Sequence, residues 1–165
     1  MKAIFLADAH LKSSADEGYK KCLHFLDGLH GRGALPETES AEVNNVDMLV
    51  IAGDFFENVP AGGDLYLLKA ILHDWPDEMA IHILRNCRNA IDTNKNSRVL
   101  VIEMVIPDGK AQHPAKIMDL NLLVLTPGGR ERTQKEFRAI FRAAGLKWKG
   151  LYRSACPLVI MEGGL

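Results

Sequence analysis

His73, Asp74 and Trp75 stand directly behind DLYLLKAIL (64–72), a nearly unbroken apolar run, and Pro76 follows them at once. A run of that length and composition reads as a strand buried on both faces. A histidine at its carboxyl end would face the crevice where open α/β sheets bind ligands. A free imidazole titrates near pH ~6.5, so it can take a proton from a hydroxyl at neutral pH; a carboxylate on its other nitrogen would fix the tautomer and stabilise the cation. Glu103 suits that part. It interrupts the otherwise apolar RVLVIEMVI (98–106), and a charge inside a buried strand needs a partner or a task.

The elements that must position these residues can be read on either side of them. Pro76 supplies the backbone angle of a first helical turn, with Asp74 or Asp77 available as cap, and the helix from about 77 to 91 carries its apolar stripe in Ala80, Ile83, Leu84, Cys87 and Ile91. Upstream, AIFLA (3–7) reads as a first buried strand. SSADE then spaces Ser14 and Glu17 as a capping box ahead of a helix with Tyr19, Cys22, Leu23, Leu26 and Leu29. A polar, acidic loop (35–45) leads to VDMLVIAG (46–53), a second buried strand closed by Gly53 and Asp54.

Downstream of the 98–106 strand, PDGKAQHPA (107–115) is a loop and KIMDLNLLVL (116–125) reads as a helix whose tail could also be strand. Thr133 and Glu136 form a second capping box, opening a helix with Phe137, Ile140, Phe141 and Ala144, and Gly145 is placed to end it. LKWKGLYRS and PLVIMEG then read as an antiparallel pair. Strands alternating with helices define an α/β class, one domain over residues 1–165, with a mostly parallel sheet and a C-terminal antiparallel strand pair.

Composition narrows the functional classes. At 165 residues and 47% hydrophobic the chain can bury a real core, and a net charge of −1 with pI near 6.6 offers no clustered basic footprint for nucleic acid or an anionic membrane. Cys22, Cys87 and Cys156 lie at wide spacings that match neither a zinc site nor a disulfide framework, and they read as small hydrophobes in a reducing compartment. His82, Cys87 and Met118 read as packing or surface residues. The N-terminal apolar run is far too short for a signal peptide or a membrane span. The expectation is a soluble, cytoplasmic protein whose partner is a small molecule.

Several motifs in order, GDFF (53–56), the Lys69-x-x-x-His73-Asp74-Trp75 turn, IE (102–103), DLN (119–121) and PGGRERTQKEF (127–137), resemble the small-molecule O-methyltransferases of the caffeate and hydroxyindole type that use S-adenosylmethionine. The resemblance covers residues 53–165 and implies a Rossmann-like sheet. It makes His73 the general base, Glu103 and Glu131 the residues that flank and orient its imidazole, and Asp54, Phe55 and Lys69 cofactor contacts. By charge pattern alone Glu131, in RER, reads as a solvated residue. The glycine-rich turn that the family places after its first strand has no counterpart, since that strand runs into DAHLKSSADEG.

The first third of the chain resembles another family. KAIFLADAHLKS (2–13) with VDMLVIAGDFFE (46–57) is similar to the opening of the metallophosphoesterases that hydrolyse a lipid-A precursor. That resemblance implies Asp8, His10 and Asp54 as ligands to manganese or zinc and a metal-dependent phosphoesterase as the alternative function. A third reading is an inactive hybrid or an oligomer built on an exposed apolar face.

Overall fold

The computed structural model describes residues 2–5, 48–52, 59, 61, 63, 65–91, 97–153 and 156–165. Its sheet runs β1 (Lys2–Phe5), β2 (Met48–Ala52), β3 (Leu65–Lys69), β4 (Arg98–Ile106), β7 (Leu158–Gly164), β6 (Lys147–Arg153) from edge to edge, with the two-residue β5 (Arg132–Thr133) pairing the end of β4. The first four strands are parallel, β7 is antiparallel to β4, and β6 is antiparallel to β7. This is the mostly parallel sheet with a closing antiparallel pair that the alternation of strand and helix patterns implies. The strands of residues 3–7 and 46–53 are found at 2–5 and 48–52.

The third strand is shorter than its apolar run suggests. It ends at Lys69, Ala70 takes a left-handed backbone (φ 53), and Leu72–Asp74 forms a single 3-10 turn. His73 therefore lies on that turn and not on the strand. The run stays apolar past the strand because Leu72 is itself buried beneath the turn.

Helix α1 (Asp77–Ala90) buries Ala80, Ile83, Leu84, Cys87 and Ala90, the stripe its spacing requires. Its capping differs from expectation: Pro76 occupies the N-cap and no side chain caps the helix, because Asp77, already in the first turn, is engaged by two arginines. Helix α2 (Pro114–Leu125) settles the ambiguous 116–125 stretch as helix. Pro114 opens it and the His113 side chain accepts from the Ala115 N–H. Helix α3 (Gln134–Ala143) has the full Thr133–Glu136 capping box. It ends in paired bonds from Gly145 N to Arg142 O and Leu146 N to Phe141 O, the Schellman arrangement that a glycine at φ 82 permits.

One face of the sheet forms the core with α1 and α3. Tyr66 and Leu68 of β3 sit beside Val99 and Val101 of β4 and pack with Ile83, Leu84, Phe137 and Phe141. The buried Tyr66 hydroxyl donates to Ala90 O and accepts from Gly63 N, so its polar atom is satisfied. Strand alternation puts Glu103 on the same face as Val99 and Val101. Burial pushes the Cys87 thiol up to about 12, in keeping with a packing role, whereas Cys156 is exposed. On β6, Lys147 and Lys149 are exposed around a half-buried Trp148, which packs edge-on to Phe141 under the Arg138 guanidinium.

Helix α2 is organised differently. It buries Ala115 and Leu122 and leaves Ile117, Leu120, Leu123, Val124 and Leu125 between 65% and 82% exposed. No helix among the described residues is long and apolar enough to cross a membrane.

Candidate active site

The site is assembled where β4, the 3-10 turn and the Gly129–Arg132 segment meet. Glu103 is fully buried, and its Oε1 accepts from the Ile71 N–H at 2.9 Å and the Leu72 N–H at 2.8 Å. Those bonds answer the charge inside the apolar strand: they carry the start of the His73 turn. The other oxygen, Oε2, lies 2.9 Å from His73 Nδ1, and Glu131 Oε1 lies 3.6 Å from the same nitrogen. Asp74 Oδ1 is 3.4 Å from Nε2.

Glu131 is not the solvated residue that the RER run suggests. It is 2% exposed, and its backbone N–H donates to Asp119 on α2 at 2.8 Å. Asp119, in the DLN segment, thus sets the position of Glu131 relative to His73. A sequence reading assigns it no role, because the contact joins residues twelve apart across a glycine turn.

Charge and burial act on the imidazole in opposite directions. Burial alone would lower the His73 pKa, but contact with Glu103 and the charges of Glu103, Asp74 and Glu131 outweigh it and raise the value from 6.5 to about 9. Glu131 moves from 4.5 to about 7. Its burial is the main cause, helped by the neighbouring charges of Glu103 and Asp119 and opposed by His73 and Arg132.

Arg132 is the functional residue that sequence reasoning missed. Its side chain is fully buried, and the guanidinium donates to Leu72 O and Trp75 O, both at 2.7 Å, and to Asp77 Oδ1 at 2.8 Å. Arg130 adds a backbone bond to His73 O at 2.8 Å, while its side chain joins Asp77 to Glu136. Burial disfavours the Asp77 charge, but Arg130 and Arg132 outweigh it and hold the carboxyl below the usual range. Three successive residues thus grip the turn that carries His73. The available sequence signal is slight: an Arg-x-Arg placed immediately before a capping box.

Space follows from the same packing. A cavity of about 440 Å³ lies between α2 and the Gly129–Thr133 segment, with Leu120, Leu123, Ile106, Arg130 and Glu131 among its walls. It reaches the triad from the Glu131 side. Gly129 is required by closeness: a Cβ there would run into Thr126 Oγ1 and the backbone of His73 and Asp74.

The structure brings together His73, Glu103 and Glu131. Lys69 ends β3, exposed, and by strand alternation on the sheet face opposite Glu103. Asp8, His10, Asp54 and Phe55 lie outside the described residues. His82 is exposed and Met118 half-buried, as surface and packing roles require.

The fold and site define a Rossmann-like α/β sheet with a histidine and two glutamates gathered at strand ends. The O-methyltransferase domain model matches residues 34–147, more than half of the chain. The chain therefore belongs to the O-methyltransferase domain family. The match begins upstream of Gly53, so the 46–52 strand and GDFF that the phosphoesterase resemblance shares fall inside the O-methyltransferase match. The chain is 43% identical over 112 residues to the phenazine O-methyltransferase PhzM of Lysobacter antibioticus, covering 68% of this chain and 32% of the relative. It is 39% identical over 112 residues to the caffeic acid 3-O-methyltransferase of Zinnia elegans, covering 66% and 30%. Among solved structures it resembles NcsB1, an O-methyltransferase from neocarzinostatin biosynthesis in complex with S-adenosylhomocysteine and 1,4-dihydroxy-2-naphthoic acid. That match has a TM-score of 0.59 and 34% identity, covering 90% of this chain and 40% of that one. The chain thus spans about a third of the length of the curated relatives it matches.

Proposed function

We propose that this chain transfers a methyl group from S-adenosylmethionine to a hydroxyl of a small aromatic molecule, with His73 as general base. The observation that carries the reading is the placement of His73 Nδ1 at 2.9 Å from the fully buried Glu103 and 3.6 Å from the buried Glu131. Buried carboxylates on one ring nitrogen orient the ring and stabilise the imidazolium, while the other nitrogen, which has only the partly exposed Asp74 carboxylate 3.4 Å away, is the one to accept a proton.

The residues present fit a cationic methyl donor. Carboxyl groups from Asp74, Glu103 and Glu131 gather around one imidazole at the carboxyl end of a parallel strand, with Asp119 holding the Glu131 backbone behind them. S-adenosylmethionine, when bound, supplies a carbon already activated by positive sulfur. What remains for the protein is to remove the hydroxyl proton and to hold the acceptor in line.

The base matches an aromatic hydroxyl. A phenol ionises near pH ~10, and raising the His73 pKa to about 9 strengthens the imidazole as an acceptor of that proton while leaving most of it protonated at neutral pH. Leu120 and Leu123 give the adjoining cavity an apolar wall for a ring. In sequence, Lys69, Asp54 and Phe55 match the residues that the family resemblance implies as cofactor contacts.

Calorimetric titration of the purified chain with S-adenosylhomocysteine tests the reading. Micromolar binding, worth about 8 kcal/mol, is the expected result. Absence of heat at high ligand concentration would remove the cofactor and the reading with it.

A further inference from the structure

His73, Glu103 and Glu131 leave an unusual residue of unmet bonding. His73 Nδ1, Glu103 Oε2 and both carboxylate oxygens of Glu131 are buried and have no hydrogen-bond partner among the described residues. The 2.9 Å contact between Nδ1 and Oε2 pairs those two atoms electrostatically, so the carboxylate oxygens of Glu131 are the ones left farthest from any donor. Buried polar atoms are nearly always satisfied, and several that converge on one point invite an explanation.

One donor atom from each of the three residues lies within 4.8 Å of the others. Tetrahedral zinc, with bonds of about 2.0–2.1 Å to nitrogen and oxygen, holds its donors roughly 3.3 Å apart. The observed separations from Nδ1, 2.9 and 3.6 Å, bracket that value. We propose that His73 Nδ1, Glu103 and Glu131 form a three-ligand site for a single zinc ion that switches off the general base.

The surroundings hold these donors in place. Two backbone N–H groups fix Glu103 Oε1 and so aim Oε2 at the imidazole, while Asp119 fixes the backbone of Glu131. Such supports orient ligands before an ion arrives. The cavity beside Glu131 provides a path inward. Mixed nitrogen and carboxylate donors with one open position suit zinc, whereas magnesium and calcium favour six or more oxygens.

Binding has a chemical consequence. An imidazole coordinated through Nδ1 keeps its proton on Nε2, which then cannot accept another from a substrate. The proton that Nδ1 carried goes to solvent. The inhibition rests on the methyl-transfer reading; the binding does not.

The test is a titration of the full, tag-free chain with zinc chloride against a fluorescent zinc indicator. One zinc per chain is expected, with affinity at least tenfold weaker in Glu131→Gln and in Glu103→Gln and unchanged in an Asp8→Asn, His10→Ala double variant. Thermal melts establish that each variant is folded. Cobalt(II) should show visible absorption bands of a low-coordinate site that disappear in Glu131→Gln. Zinc binding that is absent, unchanged in both Gln variants, or lost in the double variant would overturn the site. A chain that binds zinc as described but transfers no methyl group contradicts the proposed function alone; one that transfers methyl groups unaffected by zinc contradicts this inference alone.

Discussion

Arg132 Nη1 donates to the carbonyl of Leu72 at 2.7 Å, one residue ahead of His73, so a fully buried guanidinium holds the backbone on which the base stands. The same group holds Trp75 O on the far side of His73. Removing it would leave two carbonyls without their charged donor and free the turn. Arg132→Met should lower stability by about 3 kcal/mol, since a hydrogen bond involving a charged group contributes roughly 1.5–3 kcal/mol. Chemical denaturation measures that loss. His73→Ala, which leaves the clamp intact, should cost far less.

Gly129 should tolerate no side chain. Its Cβ position overlaps the backbone of His73 and Asp74, and backbone cannot swing aside as a flexible side-chain tip can. Gly129→Ala should therefore displace the His73 turn and lower turnover at least tenfold while the far-ultraviolet circular dichroism stays close to that of the parent. Gly145→Ala is a useful contrast: it should destabilise through its φ of 82 and leave turnover per folded molecule unchanged.

The pH profile of kcat/KM should report the free base. With a His73 pKa of about 9, the rate should climb tenfold per pH unit below that value and level off above it. Glu103→Gln removes the charge that contributes most to raising the pKa, so the rising limb should move toward lower pH, toward the ordinary value of 6.5. A rate already level at neutral pH would contradict this.

Stability should fall as pH rises through two windows. Glu131 titrates at about 7 in the folded chain against 4.5 ordinarily, and His73 at about 9 against 6.5. The folded state thus binds more protons than the unfolded state over both ranges, so each group's contribution is complete below its ordinary value and lost by its folded value. Thermal melts should drop by several degrees between neutral pH and 9. Glu131→Gln should flatten the decline between 4.5 and 7 and leave the upper decline in place.

The parts of this site that could be read from sequence are those written in local pattern. The 98–106 strand, the α1 stripe and the Thr133 capping box depend on neighbours three or four residues away, and all three are found where expected. Glu103 was visible as a charge in an apolar strand. Charge pattern alone hides Arg132, and it hides the burial of Glu131, which only the family resemblance singles out, because burying these two consecutive residues of RER depends on β5 docking beside Val105 and on Asp77 and Asp119 arriving from two helices. The extent of β3 is also hidden: Ile71 and Leu72 are apolar because they pack the turn onto the core, and composition does not distinguish a strand from the buried turn that ends it.

The central claim is that His73 removes the acceptor proton, and a comparison of the parent with His73→Ala tests it most directly. The chain is incubated with S-adenosylmethionine and a panel of hydroxylated aromatic acids, and release of S-adenosylhomocysteine is followed alongside its binding affinity. The account predicts that turnover falls at least a hundredfold, within the usual range for loss of a general base, while the affinity stays within about twofold. Unchanged turnover in His73→Ala would contradict it.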